Sequence, residues 1–354
     1  MDPSRPSPKT PLGQVIDGRY QLMGLLGEGG MGAVYRAQMA DGQQVAVKLL
    51  HEELEGEPAL RERFEREARA LFGLEHPNIL RVFDFGVYGG KPYLVMELLQ
   101  GQSLDELTLD GPLAPGRAFE LFGQALQGLA HAHAQGVLHR DLKTENIFVS
   151  RLPDGREVAK LLDFGLVKFV DDDRWGQSRK LTVQGSVFGT PAYMPPEQCA
   201  GAPTDARSDV YSMGVILFEL MTGLWPFMEE DRMAMFQAHL TRPVPRLDVS
   251  RDDGVRFREE LEAILQRAMA KLGKDRFANA VEMLEALKAV PRPIASAPAP
   301  TGPQPAARAP SAAGLPAPEW GSGGGTALLL VAALVVVLGL GLGGARIGRQ
   351  HGGT

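Results

Sequence analysis

Apolar and polar residues alternate with the two-residue period of a strand along 20–27, 33–39, 45–50, 79–87 and 93–98. One charged stretch, 58–73, interrupts them, and its apolar residues Phe64, Ala68 and Leu71 recur at helical spacing. Downstream the period changes: 118–135, 209–222, 233–240 and 259–271 carry apolar side chains three and four apart, as helices with one buried face do. The pattern predicts an α+β fold of two lobes, a small β-rich N-lobe followed by a larger helical C-lobe, in one globular unit over 17–290.

The flanks read differently. Residues 1–16 are mostly polar, rich in proline, and lack the apolar core of a secretory signal, so they are expected to be a disordered tail. Residues 291–325 are dominated by Pro, Ala and Gly and bury too little to offset their ordering entropy, which marks a linker. Residues 326–345, TALLLVAALVVVLGLGLGGA, carry no charge. At about 1.5 Å per residue they span about 30 Å, a bilayer's hydrocarbon core, and a C-terminal transmembrane helix is expected there, followed by a short stub, 346–354.

Charge and cysteine content narrow the classes. Across 354 residues, 37 Lys and Arg stand against 43 Asp and Glu, a net −6, so there is no basic footprint for nucleic acid. The single cysteine, Cys199, makes no internal disulfide, and a cytosolic catalytic unit is expected.

Candidate chemistry lies in short motifs. Residues 27–34 read GEGGMGAV and sit between two alternating stretches, so their glycines cap a hairpin instead of joining a strand to a helix. Without side chains, Gly27, Gly29 and Gly32 let backbone N–H groups approach phosphate oxygens. The strand VAVK ends on Lys48, whose charge needs a carboxylate, and Glu67, beside the apolar stripe of 58–73, is the candidate. Glu65 is expected to face solvent. Then come HRDLKTEN, 139–146, and DFG, 163–165. A zinc site at His131, His133 and His139 lacks a fourth-ligand cluster.

Glycine hairpin, VAVK, helix glutamate, HRDLKTEN and DFG occur in the order of the eukaryotic-type (Hanks-type) serine/threonine protein kinases, and the chain resembles their membrane-anchored bacterial members. The resemblance implies ATP as phosphoryl donor and Mg²⁺, with Mn²⁺ as an alternative, held by Asn146 and Asp163. It implies Asp141 as the group that accepts or orients the substrate hydroxyl, and Lys143 against the transferred phosphoryl group, a Ser/Thr-type position. ATP would lie among Leu26, Gly27, Glu28, Gly29, Gly30, Gly32, Val34, Ala46 and Lys48, with Met96 gating the pocket and Glu97 and Leu99 at the hinge.

GTPAYMPPE, 189–197, resembles the end of an activation segment, which implies protein substrates over small molecules. Thr190 would contact the catalytic loop, Glu197 would pair with Arg276, Asp209 would tie a large-lobe helix to the catalytic loop, and His139 would pack under Phe164. Arg140 implies a phosphate on the segment, from autophosphorylation at Thr182 or Ser186, and a homodimer acting in trans. Thr144 stands where the family usually has Pro, and is expected only to leave the backbone less constrained. Arg346 and Arg349 favour a cytoplasmic C-terminus, whereas ATP requires a cytoplasmic kinase domain; the second consideration places this chain as a single-pass protein of the cell membrane with its catalytic unit inside. The alternative reading is a catalytically silent scaffold of the same fold.

Overall fold

The structure, a computed structural model, describes residues 12–29, 32–51, 58–164, 191–247, 255–292 and 294–296, all within a compact unit running from residue 1 to 301. Gly30, Gly165, Thr182, Ser186 and Thr190, most of the expected tail and linker, and the expected membrane span and stub lie outside the described residues. Among the described residues no helix is long and apolar enough to cross a membrane.

Strands β1 (Val15–Ile16), β2 (Tyr20–Gly29), β3 (Gly32–Gln38), β4 (Gln44–Leu50), β5 (Val82–Tyr88) and β6 (Lys91–Glu97) form an antiparallel sheet in the order β1-β2-β3-β4-β6-β5. Helix α1 (Pro58–Phe72) lies between β4 and β5 in the chain. Both faces of β4 are covered. Val45 and Val47 join Tyr20, Tyr35, Tyr93 and Val95 in one core, while Leu50 and Leu94 belong to a second core with Phe64, Ala68 and Leu71 of α1. Helical spacing therefore identified the stripe of α1 that is buried.

The C-lobe contains β7 (Gly101–Ser103), α2 (Leu104–Thr108), α3 (Pro115–Ala134), β8 (Ile147–Arg151), β9 (Glu157–Leu161), α4 (Pro196–Cys199), α5 (Ala206–Thr222), α6 (Arg232–Thr241), β10 (Arg256–Phe257), α7 (Glu259–Ala268), α8 (Ala280–Lys288) and β11 (Ala295–Ser296). Every residue of α5 from Ser208 onward is buried, as suits a helix packed on all sides. Asp205 and Ser208 form a capping box at its start. It ends at Gly223, φ 74°, where an added Cβ would lie 2.9 Å from Pro112 Cδ.

Both ends of the globular unit extend beyond the expected 17–290. Ile16 is 1% exposed in the N-lobe core, and β1 pairs with β2. At the other end Ile294 is 2% exposed, and β11 pairs with β10. Two-residue strands carry no readable period, and one isoleucine in a polar or Pro-rich stretch gives no sign of the surface it covers.

Candidate active site

Strand register aligns the cleft. Gly27 lies opposite Val34, Val34 opposite Lys48 and Lys48 opposite Leu94, and one row along, Ala46 lies opposite Met96. Opposed residues, and those two apart on a strand, share a face, so Val34, Ala46, Lys48, Leu94 and Met96 line one surface of the sheet. Lys48, Ala46 and Met96 are buried, whereas Leu26 is exposed. A cavity of about 30 Å³ lies among Lys48, Leu94, Met96, Asp163 and Phe164. Glu97 spends its side chain on Lys160 Nζ, at 2.7 Å, and the Arg81 N–H, at 2.8 Å, while its own N–H donates to Arg81 O. Leu99 is half-buried just beyond β6.

The three glycines separate by their surroundings. A Cβ on Gly27 or Gly29 would meet nothing within 4 Å, whereas one on Gly32 would lie 2.2 Å from the Leu49 carbonyl oxygen. Gly32 is thus required by the close run of β3 against β4; Gly27 and Gly29 leave open space, as a ligand would need. Glu28 is exposed beside them.

Lys48 does not meet Glu67. Its Nζ lies 2.6 Å from Asp163 Oδ1, and Glu67 instead lies 3.8 Å from Arg66. This corrects the expected partner, and the cause is burial: an ammonium held in the cleft at 7% side-chain exposure needs a carboxylate within contact distance, and Asp163 supplies it across the two lobes. Glu67 stays partly solvated, and Glu65 pairs with Arg61 and Arg69 on the outer side of α1. Burial pushes the Asp163 carboxyl up, but the Lys48 charge and hydrogen bond outweigh it and hold the group below its ordinary range.

The catalytic loop is built around two carboxylates. Asp141 Oδ2 accepts from Asn146 Nδ2 at 3.1 Å and lies 3.7 Å from Lys143 Nζ, while Asn146 Nδ2 also donates to the Asp141 carbonyl at 2.8 Å. Asp209, buried on α5, accepts the backbone N–H groups of His139 and Arg140, each at 2.8 Å. Those bonds support Arg140 at φ 68°, a strained conformation for a non-glycine residue. Burial pushes the Asp209 carboxyl up, and the His133 hydrogen bond and the neighbouring donors bring it below its ordinary value.

The three histidines have separate duties. His133 Nδ1 accepts the Ala280 N–H at 3.1 Å, which leaves Nε2–H to donate to Asp209 at 2.9 Å. His139 is fully buried; its Nε2–H donates to Leu162 O at 2.8 Å and its ring lies 4.5 Å from that of Phe164. Burial pushes the His139 imidazole down, against the pull of Asp209 and Asp141, in keeping with a neutral ring. This contact ties the loop to the segment carrying Asp163, itself at φ 52°. His131 stacks on His76 at 5.0 Å.

Lower in the C-lobe, Arg276 and Glu197 form a two-pronged pair at 2.8 and 2.9 Å. The remaining Arg276 N–H groups donate to the carbonyls of Ala270, Arg207 and Lys271, so all five donors are engaged. Burial pushes the Glu197 carboxyl up, but hydrogen bonds from Arg276 and Ser208 hold it below its ordinary value.

Residues 20–287 match the family model described as protein kinase domain. The chain belongs to that family. It is 40% identical over 282 residues to serine/threonine-protein kinase pkn3 of Myxococcus xanthus, covering 79% of this chain and 51% of that protein. It is 37% identical to serine/threonine-protein kinase PknB of Mycolicibacterium smegmatis, covering 76% and 42%. It also resembles the solved PknI kinase domain of Mycobacterium tuberculosis, at 28% identity and a TM-score of 0.59, covering 78% of this chain and 97% of that one. The chain spans about half or less of the length of the curated relatives it matches. The family uses ATP and a divalent metal, and the oxygen donors of Asp163 and Asn146 suit such an ion: Asn146 has spent its amide nitrogen on Asp141, leaving Oδ1 as its remaining donor.

For this kinase domain, Gly32→Ala is expected to lower stability by about 1–3 kcal/mol, because β4 backbone must give way. Gly27→Ala is expected to change stability by less than about 0.5 kcal/mol and instead to raise the KM for ATP. Denaturant melts beside ATP kinetics check both.

Several residues escaped sequence reasoning. Thr144, 0% exposed, bonds Tyr193, which bonds Glu219, and Lys160 clasps Glu97. The departure from the family's usual proline was the one signal at Thr144, Tyr193 lies within GTPAYMPPE without any mark of its partner, and no local pattern marks Glu219 or Lys160.

Proposed function

We propose that this chain is a serine/threonine protein kinase that transfers the γ-phosphoryl group of ATP to Ser or Thr hydroxyls of proteins. The observation that carries this reading is the grouping of Asp141, Lys143 and Asn146 in one loop, stacked through His139 and Phe164 against the segment whose Asp163 meets Lys48. Asp141 Oδ2 takes the proton of the substrate hydroxyl as that oxygen bonds the γ-phosphorus and the bond to the bridging oxygen breaks, releasing ADP. Lys143 offsets charge beside it. Mg²⁺, with Mn²⁺ as the alternative, neutralises phosphate charge when bound, and Asn146 and Asp163 would hold it. Lys143 and the names of the curated relatives support Ser/Thr specificity. Loss of Lys48, Asp141, Asn146 or Asp163 would have supported the scaffold reading, and all four are present.

The proposal extends to control and location. Arg140 Nε is buried with no hydrogen-bond partner among the described residues, which supports a phosphate-binding role toward Thr182 or Ser186 after trans-autophosphorylation in a homodimer. The uncharged run 326–345 supports a single-pass anchor in the cell membrane with a cytoplasmic catalytic unit.

Transfer of labelled phosphate from ATP to casein by the purified chain tests the activity, and its absence overturns the reading. Fractionation of cells expressing the full chain, beside a version ending at residue 325, tests the anchor: equal partition into membranes overturns it.

A further inference from the structure

Thr144 opens the turn Thr144–Asn146, which follows Lys143 and carries Asn146. Its Oγ1 lies 2.8 Å from Tyr193 Oη, across 49 residues of chain. Tyr193 ends the turn Pro191–Tyr193, inside GTPAYMPPE, the stretch 189–197 that resembles the substrate-receiving end of an activation segment. Helix α5 holds Tyr193 at both ends: Ser212 Oγ donates to its carbonyl at 2.8 Å, and its hydroxyl donates to Glu219 Oε2 at 2.7 Å. Trp225 Nε1 donates to Tyr193 Oη and to Glu219 Oε1, both at 3.2 Å.

A tyrosine hydroxyl has one proton and two acceptor positions. The Tyr193 proton goes to Glu219 Oε2, whose carboxyl burial pushes up to about 7, and the acceptor positions face Trp225 Nε1–H and the Thr144 O–H. The hydroxyl is saturated in a buried site, where an unmatched group would be costly. Thr144 is therefore the member of this cluster that belongs to the catalytic loop, and a proline there has no hydroxyl with which to take its place.

We propose that Thr144 is a positioning residue for the protein substrate: its hydroxyl ties the loop bearing Asp141 and Lys143 to the Pro191–Tyr193 turn, so that substrate-receiving segment and catalytic loop keep one register. This rests on the protein kinase reading. The nucleotide cradle of Gly27, Val34, Ala46 and Lys48 lies on the N-lobe sheet and shares no hydrogen bond with the tie, so its loss should separate the two substrates kinetically.

The test is steady-state kinetics of the full chain on casein and on ATP, for Thr144→Val, Thr144→Ser, Tyr193→Phe and the Thr144→Val/Tyr193→Phe double variant, with a thermal melt of each. Thr144→Val is expected to lower kcat/KM for casein roughly 3- to 10-fold, about what one buried hydrogen bond supports, with KM for ATP unchanged within about twofold. Thr144→Ser should recover most of the loss, and the double variant should be no worse than Tyr193→Phe alone, since both remove the same bond. Wild-type kcat/KM in Thr144→Val, equal losses for casein and ATP, or a serine variant as impaired as valine would overturn the proposal. Should valine prevent folding, Tyr193→Phe breaks the tie from its other end and must show the same split. Absence of transfer by the wild type would instead overturn the kinase reading itself.

Discussion

Asp141→Asn is expected to lower phosphoryl transfer about 10²- to 10⁴-fold, the range for losing a positioned general base, while leaving ATP affinity and the melting temperature close to wild type. The geometry separates these effects. Asp141 Oδ2 accepts from Asn146 Nδ2, and an asparagine side-chain oxygen can accept the same bond, so the loop keeps its shape. What is lost is the capacity to take a proton and the negative charge 3.7 Å from Lys143 Nζ. Single-turnover transfer, measured beside ATP titration, checks this; a variant within about tenfold of wild type would remove Asp141 from the role of proton acceptor.

Arg276→Met should have the largest effect on stability, about 3–5 kcal/mol, because it leaves Glu197 without its counter-charge in a largely buried site. Three carbonyls, those of Ala270, Arg207 and Lys271, lose their donor at the same time. Arg276→Lys should rescue only part, since an ammonium cannot reproduce a planar fork with five engaged donors. Lys288→Ala is the control: its pair with Glu285 has side chains 57% and 65% exposed, and its removal should cost less than about 0.5 kcal/mol. Denaturant unfolding of the three variants compares them directly, and an unchanged midpoint for Arg276→Met would show that the pair contributes little.

Much of the site was legible because its parts are local. HRDLKTEN places Asp141, Lys143 and Asn146 within one loop, and the two-residue period locates Lys48 on β4 before any coordinates. The three-and-four spacing of Phe64, Ala68 and Leu71 likewise identifies the buried stripe of α1. The charge partner of Lys48 was not legible: Glu67 and Asp163 are both carboxylates at kinase-like positions, and only distance in the folded chain selects Asp163. Thr144 was misjudged for a related reason. As a replacement for proline it suggested a looser backbone, yet its hydroxyl meets Tyr193 of GTPAYMPPE, a pairing across 49 residues that neither motif shows.

By itself the sequence determined the two-lobed plan and the glycine hairpin, which rest on hydrophobic period and spacing over a few residues, and the residues that bring charge to the cleft, which rest on short motifs resembling those of the kinase family. Only the tertiary structure decided which of those groups meet. Lys48 and Asp163 are 115 residues apart, and Asp209 and His133 are 76 apart, yet each pair closes to within 3 Å. Ion pairs and hydrogen bonds weaken steeply over an ångström or two, so their partners depend on how the lobes and helices pack, a property of the whole fold that no stretch of sequence carries alone.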